Sequence, residues 1–217
     1  MKLANQDQVE GLDPAFARMA IEVGRHAWSL PQLTMREKAF VFLAADLCTA
    51  NLGFALATHV QMAGANGVTA VDCIAAIRHL APYVGYPTAA VALQRLVDPG
   101  ATADTPRMAE SRQLPAEVVD ELTALNPDFA AFVAEQFRQR WSDDPELSQR
   151  ERALSCLATD VLNQTLDESF ALHVELAEAA GAGPGQINAV LLLVAEYGTA
   201  KAWRAYRTLA RIRVRPD

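Results

Sequence analysis

One stretch of this chain is written twice. Leu33-Thr34-Met35-Arg36-Glu37-Lys38-Ala39 recurs as Leu147-Ser148-Gln149-Arg150-Glu151-Arg152-Ala153. Each copy is followed, 23 residues after its arginine, by a histidine in an alanine-rich run, His59 and His173. The offset is 114 in both comparisons. Residues 31–83 laid over 145–197 agree at 18 of 53 positions, against roughly four or five expected by chance in so alanine-rich a chain. Upstream the offset falls to 113, pairing Phe16 with Phe129, Arg25 with Arg138 and Trp28 with Trp141. A period of this size duplicates a domain, not a solenoid element. The chain therefore divides into a first repeat at 1–97, a linker at 98–114 and a second repeat at 115–217.

Almost every segment of either repeat is composed for helix. Ala, Leu, Glu, Gln and Arg dominate, and alternating β-branched runs are absent. The pattern predicts an all-α fold, with first-repeat helices near 13–28, 34–50, 52–65, 69–82 and 86–97. Thr34-x-x-Glu37 is a capping box that Ser148-x-x-Glu151 repeats. Gly67 suits a left-handed helix end, and Thr69 with Asp72 suits the next start. Gly181 and Pro184 do the same work in the second copy. Residues 98–114 mix Pro, Gly, Asp, Thr and Ser without periodicity, as a linker does.

Charge and cysteine usage narrow the function classes. A net charge of −7, with no basic stripe, argues against nucleic-acid binding. No run of 18 residues is apolar and uncharged, so no membrane span is expected, and no secretory h-region is visible near the N-terminus. Cys48, Cys73 and Cys156 never fall in a C-x-x-C pair and are read as reduced, mostly buried thiols of a cytoplasmic protein.

The residues that could carry chemistry sit at matched positions. His59 shares a helix face with Leu52, Ala55, Leu56, Val60 and Ala63, as His173 does with Leu166, Ser169, Phe170, Val174 and Ala177. Such an imidazole is either a core histidine with one satisfied hydrogen bond or a partly buried proton donor and acceptor. Asp46 and Asp160 lie on apolar stripes, where a carboxylate is costly without a partner. Either each reaches solvent or a helix N-terminus, or each fixes the histidine ring in one tautomer. Arg36 and Arg150 occupy first helical turns, which the dipole disfavours, so each should have an anion: a structural glutamate or a substrate carboxylate.

Taken together, Arg-Glu, an apolar helix, Leu56-x-x-His59-x-x-x-Ala63, Gly67-Val68-Thr69 and Tyr83-x-Gly85-x-Pro87 resemble the carboxymuconolactone decarboxylase family. The likeness covers 13–97 well and 126–212 more weakly. It implies two tandem all-α domains and a homo-oligomer, a trimer being favoured for a two-domain chain. One branch of that family, the alkyl-hydroperoxidase D type, uses C-x-x-C-x-x-x-H; here Leu52 and Ala55, or Leu166 and Ser169, stand where the cysteines would be. Its assisting glutamate would be Phe40 or Leu154. Thiol peroxidase chemistry is therefore disfavoured. The other branch decarboxylates a lactone without metal or organic cofactor. By that resemblance His59 and His173, with Glu168, are candidate catalytic groups, and the carboxylates Asp46 and Asp160, read from their apolar stripes, join them. Arg36, Arg150, Arg25, His26 and Trp28 are the candidate substrate-binding groups. The expectation is a cofactor-independent carbon–carbon lyase or isomerase acting on a small carboxylated cyclic substrate, without metal. The alternative is a non-catalytic assembly or ligand-binding protein, whose mark would be histidine pockets closed by Phe54, Phe170 and Met62.

Overall fold

The computed structural model describes residues 2–96, 112–142 and 146–214, and among them the fold is all-α. The first repeat runs α1 (Gln6–Glu10), α2 (Pro14–Ser29), α3 (Met35–Cys48), α4 (Phe54–Ala65), α5 (Ala70–Val84) and α6 (Tyr86–Leu96). The second follows the same order: α7 (Ala116–Leu125), α8 (Pro127–Arg140), α9 (Gln149–Asn163), α10 (Glu168–Ala179), α11 (Pro184–Leu193), a 3-10 turn at Val194–Tyr197, and α12 (Thr199–Val214). Of the expected linker, 98–111 lies outside the described residues. Helix α1 was not anticipated; its five residues are too short to show a helical period. Among the described residues no helix is long and apolar enough to cross a membrane.

The helix starts follow from local chemistry. Thr34 Oγ1 accepts from the Glu37 N–H at 3.1 Å while Glu37 Oε2 accepts from the Thr34 N–H at 2.7 Å. Ser148 and Glu151 repeat this arrangement, and Thr69 with Asp72 build a third box. Asp13 and Asn126 cap α2 and α8 ahead of prolines at the first turn. Gly67 and Gly181 both adopt φ +82°, a conformation that costs a residue with a Cβ roughly 1–2 kcal/mol.

Helices α3 and α9 form the centre. Every residue from 37 to 47 and from 151 to 162 is buried, and the two helices pack against each other. Such helices are enclosed on all sides, and the repeats share one continuous core. The seam is reciprocal. The oxygen of Glu37 that does not cap α3 accepts from Arg150 Nε at 2.6 Å, and the matching oxygen of Glu151 accepts from Arg36 Nε at 2.6 Å. Each cap glutamate thus ties its own helix start to the opposite repeat.

Candidate functional site

Asp46 ends the buried stripe of α3, and a tight turn brings the chain back as α4, so residues 13 apart meet side by side. Asp46 Oδ2 lies 2.7 Å from His59 Nδ1. The carboxylate is fully buried, whereas the His59 side chain keeps 13% of its surface. The other oxygen, Oδ1, accepts the Tyr197 hydroxyl at 2.8 Å. Tyr197 belongs to the second repeat, on the turn before α12. Burial beside Asp46 holds its phenol well above the usual range, so it stays protonated and donates. The Phe42 ring stacks on the imidazole, centroids 4.4 Å apart, and Trp28 stacks on Phe42 at 4.8 Å. A carboxylate on Nδ1 fixes the proton there and leaves Nε2 as the basic nitrogen.

That imidazole lines a pocket of about 810 Å3 between α1, α2, α4 and the turn carrying Glu196 and Tyr197. Its size falls within the range of small-molecule sites, roughly 300–1,000 Å3. Trp28, Phe42, Phe54, Ile21 and Met62 supply apolar walls. Glu196 faces the same space. Glu196 is exposed at the edge of that space, and the desolvation it does meet there, together with Asp46, pushes its carboxyl up against the opposing pull of His59.

The second histidine has the same dyad in a different setting. Asp160 Oδ2 lies 2.6 Å from His173 Nδ1. Here Asp160 Oδ1 accepts the hydroxyls of Thr165 at 2.8 Å and Ser169 at 2.7 Å, residues that stand where the first repeat has Asn51 and Ala55. Tyr83, the counterpart of Tyr197, instead accepts Trp141 Nε1 at 3.0 Å. Cys156 replaces Phe42, and its sulfur meets His79 Nε2 at 3.2 Å. Trp141 stacks flat near His173, with 15° between the planes. The ring is left 2% exposed. Burial alone would lower its pKa, yet Cys156 and Asp160 outweigh that and hold it up to about 10. His79 is driven the opposite way by burial and by Arg152.

Other sequence candidates stand elsewhere. Arg36 reaches Glu151, Asp72 at 3.0 Å and the Glu146 carbonyl, and its guanidinium lies 4.9 Å over the Phe40 ring. Arg150 holds Glu37 and the Gly181 carbonyl. Each of these arginines thus holds the cap glutamate of the other repeat, and Arg36 also holds Asp72 at the start of α5 in its own repeat. Arg25 donates to Gln6 beside a neighbouring groove, and His26 is exposed in the last turn of α2. Glu168 is exposed at the start of α10, lining a surface groove with the end of α12, away from His173. Of Arg25, His26 and Trp28, only Trp28 lines the pocket. Phe54 and Met62 line that pocket without filling it, while Phe170 is packed in the core. Sequence reasoning missed Glu196 and Tyr197; the one available signal was that Tyr197 matches Tyr83 in the repeat. The three thiols are unpaired, and burial raises Cys48 to about 12, leaving almost no thiolate at neutral pH. Among the described residues no group of three His, Cys, Asp or Glu side chains is arranged to hold a metal ion.

Fold and site together define a tandem helical repeat protein with one open and one enclosed Asp–His dyad. The chain belongs to the carboxymuconolactone decarboxylase family, whose model matches residues 14–98 and again 127–211. A solved structure from Burkholderia xenovorans LB400, provisionally described as a gamma-carboxymuconolactone decarboxylase subunit, shares the fold. It is 22% identical, with a TM-score of 0.58 over 98% of this chain and 92% of that one. No functionally curated protein matches the sequence.

Proposed function

We propose that this chain is a cofactor-independent enzyme of lyase or isomerase type, working at the His59 dyad alone by proton transfer on a small cyclic substrate. The observation that carries the reading is the chain Tyr197–Asp46–His59, ending at a basic nitrogen in an apolar pocket. His59 Nε2 removes a proton from carbon next to a carbonyl. Glu196, half protonated near neutrality, donates to the oxygen where negative charge collects. The charge on His59 is then balanced by Asp46, which the fold has already desolvated. The enclosed dyad at His173 serves as a structural element of the second repeat. An arginine that grips a substrate carboxylate drops out of this scheme, since Arg36 and Arg150 are engaged across the seam.

The test is exchange of carbon-bound hydrogen with solvent deuterium in phenyl-γ-butyrolactone and related ketones and lactones, followed by NMR. His59→Ala should slow exchange by roughly 10²–10⁴-fold, while His173→Ala leaves it unchanged. Full exchange in a folded His59→Ala variant would refute catalysis at this site and leave a binding protein. We also propose self-association as a trimer in the cytoplasm. The exposed apolar residues Leu12, Phe16 and Met19 around the pocket mouth support association. Sedimentation equilibrium should return three chains; a monomer at every concentration tested would end that part.

A further inference from the structure

Building on the proposed proton-transfer site, we infer that the pocket selects uncharged substrates, and that Glu196, contributed by the second repeat, is the residue that turns carboxylates away. The distribution of charge around the pocket supports this. The described residues lining the pocket include no lysine or arginine, while Glu196 lies in its wall and Asp46 directly behind His59. Cations on the neighbouring segments are engaged elsewhere: Lys2 pairs with Asp7 at 3.4 Å, and Lys201 donates to the Leu162 carbonyl at 2.8 Å. Lys38 is buried with its ammonium on the Trp28 carbonyl at 2.6 Å, and Arg25 donates to Gln6 at 3.2 Å beside the adjacent groove. An anion entering this space would meet Glu196 in the wall and, behind the His59 ring, Asp46, with no lysine or arginine among the described lining residues to offset them. That arrangement repels it. A neutral lactone or ketone meets aromatic walls and no such repulsion.

Glu196 has no counterpart in the first repeat, where Pro82 stands at the matching position. The selective group is therefore peculiar to one copy, as a specificity element acquired after duplication would be.

The experiment measures dissociation constants by calorimetry for three probes on the full chain at pH 8. They are phenyl-γ-butyrolactone, the same lactone with a carboxylate on its phenyl ring, and the methyl ester of that acid. The lactone and the ester should bind at least tenfold more tightly than the carboxylate, the ester showing that size is not the cause. Glu196→Gln should close most of that gap by strengthening carboxylate binding. Equal or tighter binding of the carboxylate by the native chain would overturn the inference, as would a gap unchanged in Glu196→Gln. Failure of all three probes to bind would remove it together with the pocket reading. Loss of selectivity with exchange still dependent on His59 would remove this inference alone.

Discussion

Replacing Arg36 by alanine separates a structural arginine from a substrate-binding one. The Arg36 side chain is 32% exposed, but its partners are less so: Glu151 keeps 10% of its side-chain surface and Asp72 13%. Removing one member of a fully buried ion pair costs about 3–5 kcal/mol, and exposed pairs are worth about 0–1 kcal/mol. With two nearly buried carboxylates left to their cap hydrogen bonds alone and a third of the Arg36 side chain in water, Arg36→Ala should destabilise by about 2–3 kcal/mol. Arg150 meets one carboxylate and should lose about 1–2 kcal/mol. For a chain of this length, that corresponds to a midpoint drop of about 5–10 °C for Arg36→Ala, and less for Arg150→Ala. Thermal unfolding of both variants and of Glu151→Gln, with the double mutant closing the cycle, should give a coupling energy of 1 kcal/mol or more, on the order of values for contacting pairs. The stabilisation has a pH signature. Burial would raise the Asp72 carboxyl, but hydrogen bonds from Arg36 and Thr69 hold it below its ordinary range. Its share of stability is thus present above about pH 4 and fades as pH falls through the folded value. If Arg36→Ala left the melting midpoint in place and instead raised KM for the exchange reaction, the structural assignment of this arginine would be wrong.

Two more expectations concern titration. His173 is held up to about 10 in the folded state against about 6.5 unfolded, so its contribution to stability is full below pH 6.5 and disappears as pH rises through 10. Denaturant midpoints should fall across that interval in the native chain and fall less in Asp160→Asn; parallel curves would refute the assignment. Glu196 acts as an acid with a carboxyl pushed up to about 7, so kcat/KM should decline as pH rises through 7. That limb should vanish in Glu196→Gln, and a limb that survives belongs to another group.

The parts of this molecule written in short-range code were readable in advance. The capping boxes at Thr34 and Ser148, the left-handed glycines at 67 and 181, and the repeat itself depend on residues within a turn of one another. The pairing of Asp46 with His59 was open to inference because adjacent helices with buried polar stripes must satisfy each other. What the chain did not disclose is which repeat supplies each partner. The second oxygen of Glu37 belongs to Arg150, and that of Asp46 to Tyr197, across 113 and 151 residues. Glu196 carried no local mark, since its role arises from what the other half leaves open. The fates of the two histidines also differ through single positions. Phe42 aligns with Cys156, and Asn51 and Ala55 align with Thr165 and Ser169. Each is unremarkable when read along its own helix.

The exchange of tyrosine and cap contacts between the copies has an evolutionary meaning. In the proposed reading one repeat completes the working centre of the other, so the gene can no longer be cut back to a single unit without losing activity. In that reading the enclosed copy is released from chemistry yet bound to its role as a brace. It can drift in every property except the shape that keeps Tyr197 in reach of its sibling.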